Sequence, residues 1–261
     1  MRRLLVDPLA LAWPLAKRDI MARYRGSAAG VMWALIGPMA MLLIYTVVFS
    51  GVFQARWGAA GEGGIGFVTR LFAGLLVFTA MAEVATRATR LMIDNANLVK
   101  RVVFPLELLA VALLMQVAVH TALQVALLAL MLLLLGDGAR LSWLWLPVAW
   151  LWLLLLQYAV ALLLAALGAY LRDLQHLVPV VMSGLLFLSP VFYPTQSAPA
   201  PLALLLTLNP ISAPIDLFRH AWFGDAVNVQ HMAVQFGVLL LGLLAARWVF
   251  ARLRPGFADL V

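Results

Sequence analysis

The chain has 261 residues, 65% of them apolar and 11% charged. Its mean hydropathy of +1.02 lies far above that of a water-soluble domain, so the composition describes a polytopic membrane protein. The net charge of +7 does not signal nucleic acid, because the basic residues flank hydrophobic runs and form no stripe with interleaved aromatics. The absence of cysteine excludes disulfides, thiolate metal sites and cysteine nucleophiles.

The N-terminal segment does not read as a cleavable signal, since its longest uncharged stretch, Pro8 to Ala16, is short, holds two prolines and precedes no small-residue cleavage site. Over 7–26, Leu9, Trp13, Ala16, Ile20 and Tyr24 recur at spacings of three and four, with Lys17, Arg18, Asp19 and Arg23 largely off that stripe. The pattern predicts an amphipathic helix on the cytoplasmic leaflet, kinked or restarted at Pro14. A soluble lead whose charges only set topology is the plainer alternative.

Residues 28–53 hold no charge and form the first predicted span, since roughly 20 helical residues cross a hydrocarbon core about 30 Å thick. Lys17, Arg18, Arg23 and Arg25 before it hold the N-terminus in the cytoplasm. Gly26, Gly30 and Ala34 repeat at every fourth position, a spacing that suits close helix approach or simple local packing, and Pro38 predicts a mid-span kink.

A glycine-rich outer loop leads to a second span over 68–88. In it Glu83 and Arg87 are four apart and share a helical face, as a structural ion pair or as part of a proton relay. The polar inner loop 89–104 contains Arg90, Asp94, Asn95, Asn97, Lys100 and Arg101 with Leu91, Met92, Leu98 and Val99 among them. It reads as a short helix presented to a cytoplasmic partner or as a solvated connector.

Pro105 and Glu107 suit the first turn of the third span, 106–135. Within it His120 lies between Gln116 and Gln124 at four-residue spacing, which fits an interhelical hydrogen-bond ladder better than a metal or proton site. The fourth span, 143–170, starts in a belt of Trp143, Trp145, Trp150 and Trp152. The fifth, 177–194, ends in Leu188-Ser189-Pro190-Val191-Phe192-Tyr193-Pro194, whose two prolines predict an irregular exit. Residues 195–230 are too broken by proline to cross, so a re-entrant outer hairpin is expected before the sixth span, 231–250, and a cytoplasmic tail, 251–261. This layout puts fourteen basic residues inside against four outside, with both termini cytoplasmic. The fold class is therefore all-α, a single domain over 1–261 with six transmembrane helices.

No Gly-x-x-x-x-Gly-Lys-Ser/Thr loop, His-Glu-x-x-His or Gly-x-Ser-x-Gly motif occurs. Energy for any transport must come from a partner or from an ion gradient.

Arg18-Asp19-Ile20, Arg23-Tyr24-Arg25-Gly26-Ser27, Trp33-Ala34-Leu35, the run Asn95 to Pro105, Leu188 to Pro194, Asn209-Pro210 and Phe257-Ala258-Asp259 occur here in that order. In order and spacing they resemble the membrane subunits of ABC-2 type exporters of lipid-linked polysaccharide, which include O-antigen, capsule and teichoic-acid permeases. Arg254 departs from the resemblance, because relatives often carry glutamate there. The resemblance implies an inner-membrane homodimer paired with two copies of a separate ATPase subunit, which would bind ATP and Mg, while this chain binds no cofactor or metal and is not itself an enzyme.

It further implies that Asp94, Asn95, Asn97, Leu98, Lys100 and Arg101 form a coupling helix seated in the ATPase. The implied substrate is a long glycan on a polyprenyl pyrophosphate, most of all O-antigen of lipopolysaccharide. Its headgroup would be attracted by Arg18, Arg23, Tyr24 and Arg25. Trp33, Tyr45, Phe187, Phe192 and Tyr193, with Ser189 and Pro190 at the outer gate, would offer ring faces to passing sugars. Two other readings compete with this one: an ion-coupled carrier using Glu83 and His120, and an intramembrane enzyme acting on polyprenyl lipids.

Overall fold

The structure, a computed structural model, describes residues 8–26, 30–52, 57, 64–100, 104–135, 138–195 and 200–260. No β-strand occurs among the described residues. The helices are α1 (Pro8–Tyr24), α2 (Trp33–Tyr45), α3 (Ile65–Ala88), α4 (Leu91–Asp94), α5 (Ala96–Val99), α6 (Glu107–Leu134), α7 (Leu146–Tyr170), α8 (Leu174–Phe187), α9 (Ala200–Leu208), α10 (Ser212–Phe223), α11 (Val229–Leu253) and α12 (Phe257–Leu260). Four helical stretches are long and apolar enough to cross a bilayer: Ile65–Ala88, Glu107–Leu134, Leu141–Tyr170 and Val229–Leu260. Leu35–Phe49 and Leu174–Phe187 are shorter apolar helices.

Sequence and structure differ most at the edges of the first and fifth predicted spans. Gly26 and Gly30 have φ of +82° and +51°, so they turn the chain between α1 and α2 and do not form a helical small-residue seam. Helix α2 runs through Pro38 and then widens into a π-helical turn over Thr46–Val52; the loop that follows is described only at Trp57 and from Gly64. Helix α8 begins three residues before the predicted span and stops at Phe187, and the rest of that segment is the irregular exit that two prolines dictate. Helix α1 is continuous through Pro14. It packs on α6 through Ala12, Leu15 and Ala16 against Val111, Ala112 and Met115, while Trp13 of the predicted apolar stripe stays exposed.

Helix α7 is central, touching α3, α6, α10 and α11. Its small residues permit this: Ala161, Ala165, Ala166 and Gly168 are buried where neighbouring backbones approach. In a membrane the force holding such helices together is packing and hydrogen bonding, because lipid is as apolar as the side chains it replaces. The core divides into two clusters. One gathers Phe67, Phe72, Leu153, Phe218 and Trp222 at the α10 end, and the other gathers Val84, Met92, Leu113, Leu162, Phe250 and Phe257 at the α4–α5 end.

Candidate functional site

Three groups of predicted residues can now be placed. The first lies where α1 meets α3 and α6. Arg23 Nη1 donates to Glu83 Oε1 at 2.5 Å, and Arg87 Nη1 donates to the same oxygen at 3.2 Å. Arg87 Nη2 also reaches Gln116 Oε1 at 2.6 Å, and Arg23 Nη1 lies 3.1 Å from His120 Nδ1. Residues that looked like an intrahelical pair, a glutamine–histidine ladder and a topogenic arginine thus form one cluster beside a cavity of about 520 Å³. The i, i+4 spacing put Glu83 and Arg87 on one face; only the tertiary fold could add Arg23.

Arg18 and Arg25 sit elsewhere, on a larger basic and apolar depression of about 910 Å³ that Lys17 and Ile20 also line. Arg18 pairs with Asp19 at 2.9 Å on the exposed surface. Tyr24 ends α1, but its side chain lies outside the described residues.

The second group is the inner loop, folded as two single-turn helices, α4 and α5. Met92 and Val99 are buried and Leu98 packs against the same cluster, which anchors the elbow to the body. Asn95 Nδ2 donates to the Leu91 carbonyl at 2.9 Å and sets the angle between the two turns. Asp94, Asn97 and Lys100, three apart, are exposed. The predicted coupling set therefore separates into an outward face, Asp94, Asn97 and Lys100, and inward supports, Asn95 and Leu98; Arg101 lies outside the described residues. Arg90 bridges Asp94 at 3.2 Å and Gln175 at 3.1 Å, joining the elbow to the start of α8. Behind the elbow, a Cβ on Gly168 would fall 2.0 Å from the Thr89 carbonyl oxygen, so α7 and the elbow touch backbone to backbone.

The third group lies at the opposite end. Phe192 stacks on Phe187 at 5.4 Å and on Phe49 at 5.3 Å, with Tyr45 edge-on at 6.1 Å. The Tyr193 hydroxyl donates to the Phe187 carbonyl at 3.1 Å. Tyr45, Phe187, Phe192 and Tyr193 are thus brought together. Trp33 is not, since it stands at the other end of α2, about 18 Å along the helix from Tyr45.

Ser189 and Pro190 are structural here. Ser189 is fully buried, donating to the Leu185 carbonyl at 2.6 Å and accepting from Asn209 Nδ2 at 2.8 Å. The Pro190 carbonyl accepts from Arg219 Nη1. Arg219, one of the four basic residues on the outer side of the predicted layout, is only 2% exposed. It also holds the Val191 carbonyl at 2.7 Å and the Arg70 carbonyl at 3.3 Å, and lies 4.3 Å from the centre of the Trp57 ring. The signal that could have found it is an Asp-x-x-Arg step, Asp216 to Arg219, inside a short apolar helix bounded by Pro214 and Gly224.

The helical bundle thus carries a charged cluster and an exposed elbow at one end and an aromatic exit at the other. The family model described as ABC-2 type transporter matches residues 11–223. The chain belongs to the ABC-2 type transporter family.

Among its ABC-2 relatives, the O-antigen export system permease protein RfbA of Klebsiella pneumoniae is 21% identical over 248 residues, 95% of this chain and 93% of that protein. The O-antigen export system permease protein RfbA of Myxococcus xanthus is 25% identical over 94% of this chain and 93% of that protein. The polysialic acid transport protein KpsM of Escherichia coli is 24% identical over 88% of this chain and 90% of that protein. The match to the ABC-2 family takes in most of α1, the elbow, α9 and α10. Helices α11 and α12 follow the matched residues, and in this ABC-2 chain they close the bundle: Phe250 and Phe257 are buried in the cluster that anchors the elbow.

Proposed function

We propose that the chain is the transmembrane permease subunit of an ATP-driven exporter that moves polyprenyl-pyrophosphate-linked polysaccharide, O-antigen foremost, across the inner membrane. The observation that carries the reading is the near-full-length similarity to permeases named for O-antigen export. The exposed Asp94–Asn97–Lys100 face supports it, because a chain without a phosphate loop needs a surface on which an ATPase can push. In this reading α2, α3, α6, α7, α8 and α11 are the six spans, α1 lies on the cytoplasmic leaflet, and α9–α10 form a re-entrant hairpin at the outer side. Two copies of the chain pair with two ATPase subunits, and both termini are cytoplasmic. Arg23 receives the lipid pyrophosphate, Arg18 and Arg25 draw it in from the separate basic depression, and Tyr45, Phe187, Phe192 and Tyr193 face the emerging glycan.

Co-expression with an ABC ATPase encoded beside the gene tests this reading. A stable complex is expected, with ATP hydrolysis stimulated by lipid-linked glycan. Simultaneous Asp94→Ala, Asn97→Ala and Lys100→Ala is expected to remove at least nine-tenths of that stimulation, roughly the loss of one or two interface anchors. Unchanged stimulation would remove the coupling assignment, and transport that follows the proton gradient at constant ATP would instead favour an ion-coupled carrier. The similarity to the polysialic acid transport protein supports capsular polysaccharide as the second substrate reading. Restored surface O-antigen in a strain lacking its own permease, without restored capsule, would separate the two.

A further inference from the structure

One carboxylate oxygen, Glu83 Oε1, is shared by two guanidinium groups from different elements. Arg23 comes from α1 and Arg87 from α3. Helix α6 adds only the uncharged Gln116 amide and the His120 ring. An oxygen bridging two arginines is where a phosphoryl oxygen would sit, and arginine forks suit phosphate as well as they suit carboxylate. The adjoining cavity of about 520 Å³ is further walled by Asp19, Ala82 and Thr86. Ala82 also borders a second, mainly apolar cavity of about 390 Å³, lined by Pro38, Met41, Leu75 and Phe78. A charged chamber thus abuts a greasy one, as an isoprenoid lipid with an anionic head requires.

We infer that Glu83 is a built-in competitor for the substrate headgroup: it holds Arg23 and Arg87 when no headgroup is bound, and a polyprenyl pyrophosphate takes both arginines by displacing it. The inference rests on the lipid-pyrophosphate reading above and adds a selection step to it. Glu83 carries one negative charge and is tethered at the site, so it has a high effective concentration there. A phosphodiester monoanion, the headgroup charge of ordinary anionic lipids, brings no more charge than Glu83 and gains little by replacing it. A pyrophosphate diester brings two charges and outcompetes it. The carboxylate therefore acts as negative selection against bulk lipid. Displacing it replaces the direct Arg23–Glu83 contact between α1 and α3 by one bridged through the headgroup, so headgroup capture changes how the end of the interface helix is held.

The test uses the permease with its ATPase subunit in nanodiscs, titrated with farnesyl pyrophosphate and, separately, with inorganic pyrophosphate, in phosphatidylcholine or in phosphatidylglycerol. For the wild type, phosphatidylglycerol is expected to leave the farnesyl pyrophosphate affinity nearly unchanged. For Glu83→Gln in phosphatidylcholine the Kd is expected to fall about three- to tenfold, the scale of one lost partly exposed ion pair. In phosphatidylglycerol that gain is expected to disappear, because the freed arginines now accept the monoanion. Asp19→Asn makes the same change in net charge at the same cavity but keeps the Arg23–Glu83 contact, and it is expected to give no gain. Glu83→Asp, which withdraws the carboxylate by one methylene, is expected to give a smaller gain and serves if the glutamine variant fails to assemble with the ATPase.

An equal gain in Asp19→Asn, or no gain in assembled Glu83→Gln and Glu83→Asp, would overturn the displacement while leaving the exporter reading intact. A gain seen only with inorganic pyrophosphate would assign the cluster to a free anion and overturn the inference. No pyrophosphate binding by any variant would overturn it together with the substrate assignment on which it rests.

Discussion

Arg219 shows what one buried charge does in this bundle. The irregular exit after α8 leaves the Pro190 and Val191 carbonyls without helical partners, and at membrane depth such groups are costly unless the protein satisfies them. A guanidinium can fork onto two successive carbonyls and reach a third on α3, and Trp57 covers its face. Gly74 makes the approach possible, since a Cβ there would lie 2.7 Å from Arg219 Nη2. Arg219→Met is therefore expected to destabilise the protein by about 3 kcal/mol or more, because it strands several carbonyls at once. Arg219→Lys is expected to recover only part of this, since an ammonium is a point charge that cannot fork. Arg140→Gln, which removes a single exposed arginine's contact with the Phe223 carbonyl at 2.8 Å, is expected to cost less than about 1 kcal/mol. Thermal unfolding in detergent followed by tryptophan fluorescence checks all three; equal shifts for Arg219→Met and Arg140→Gln would contradict the clamp.

At the scale of elements, the elbow of α4 and α5 is held by few anchors, and one of them is a contact of backbone with backbone. Single-turn helices have no independent stability, so their position is inherited from Met92, Val99 and the contact of Thr89 with Gly168. The tail joins this support: the Tyr170 hydroxyl donates to the Leu253 carbonyl at 2.9 Å, Tyr170 meets Phe257 edge-on at 6.1 Å, and α12 packs against α5. A methyl group at Gly168 would have to push the Thr89 carbonyl away, and that carbonyl begins the elbow. Gly168→Ala is expected to cost about 1–3 kcal/mol as an overpacking change and to lower glycan-stimulated ATP hydrolysis severalfold without dissociating the ATPase. Co-purification and ATPase assays separate these outcomes, and full stimulation in Gly168→Ala would show that the elbow does not transmit force through this contact.

Much of this level was legible in the chain itself. Long apolar runs announced α3, α6, α7 and α11, whereas the charge-free run 28–53 holds only the shorter apolar helix Leu35–Phe49; the i, i+4 step announced Glu83 with Arg87, and the proline pair announced the irregular exit. What stayed hidden was long-range: Arg23 meeting Glu83 across sixty residues, Arg219 reaching back to Arg70, and Trp143 packing at 4.9 Å on Trp222. A tryptophan near a predicted interface reads as a lipid belt, and no local pattern distinguishes that from a tryptophan facing a neighbouring helix.

At the scale of the whole molecule, the path of the chain from the end of α7 to α10 decides how many times it crosses the membrane. Helices α3, α6, α7 and α11, of 24, 28, 25 and 25 residues, are each about 36–42 Å long and exceed a hydrocarbon core of about 30 Å. Helix α8, with 14 residues, reaches only about 21 Å. Yet the residues on either side of it are fixed at opposite ends of the bundle. Tyr170 sits with the tail and the elbow, while Trp143 and Arg140 at the start of α7 are tied to Trp222 and Phe223 of α10. The chain must travel from one end to the other between Tyr170 and α10, and α8 followed by the exit segment 188–195 is the stretch that does so, its loose carbonyls shielded by Arg219 and Asn209. Because the protein has no cysteine, single substitutions can read this path directly. Asn97→Cys is expected to react with a membrane-impermeant maleimide only when the cytoplasmic face is opened, and Leu141→Cys to react in intact cells, since one crossing, α6, separates them. The deciding position is the exposed Val229 at the start of α11. If α8 and the exit segment together span the bilayer, Val229→Cys reacts from the same side as Leu141→Cys; if they fold back, it reacts with Asn97→Cys, and the shielding of the Pro190 and Val191 carbonyls would no longer have a membrane to explain it.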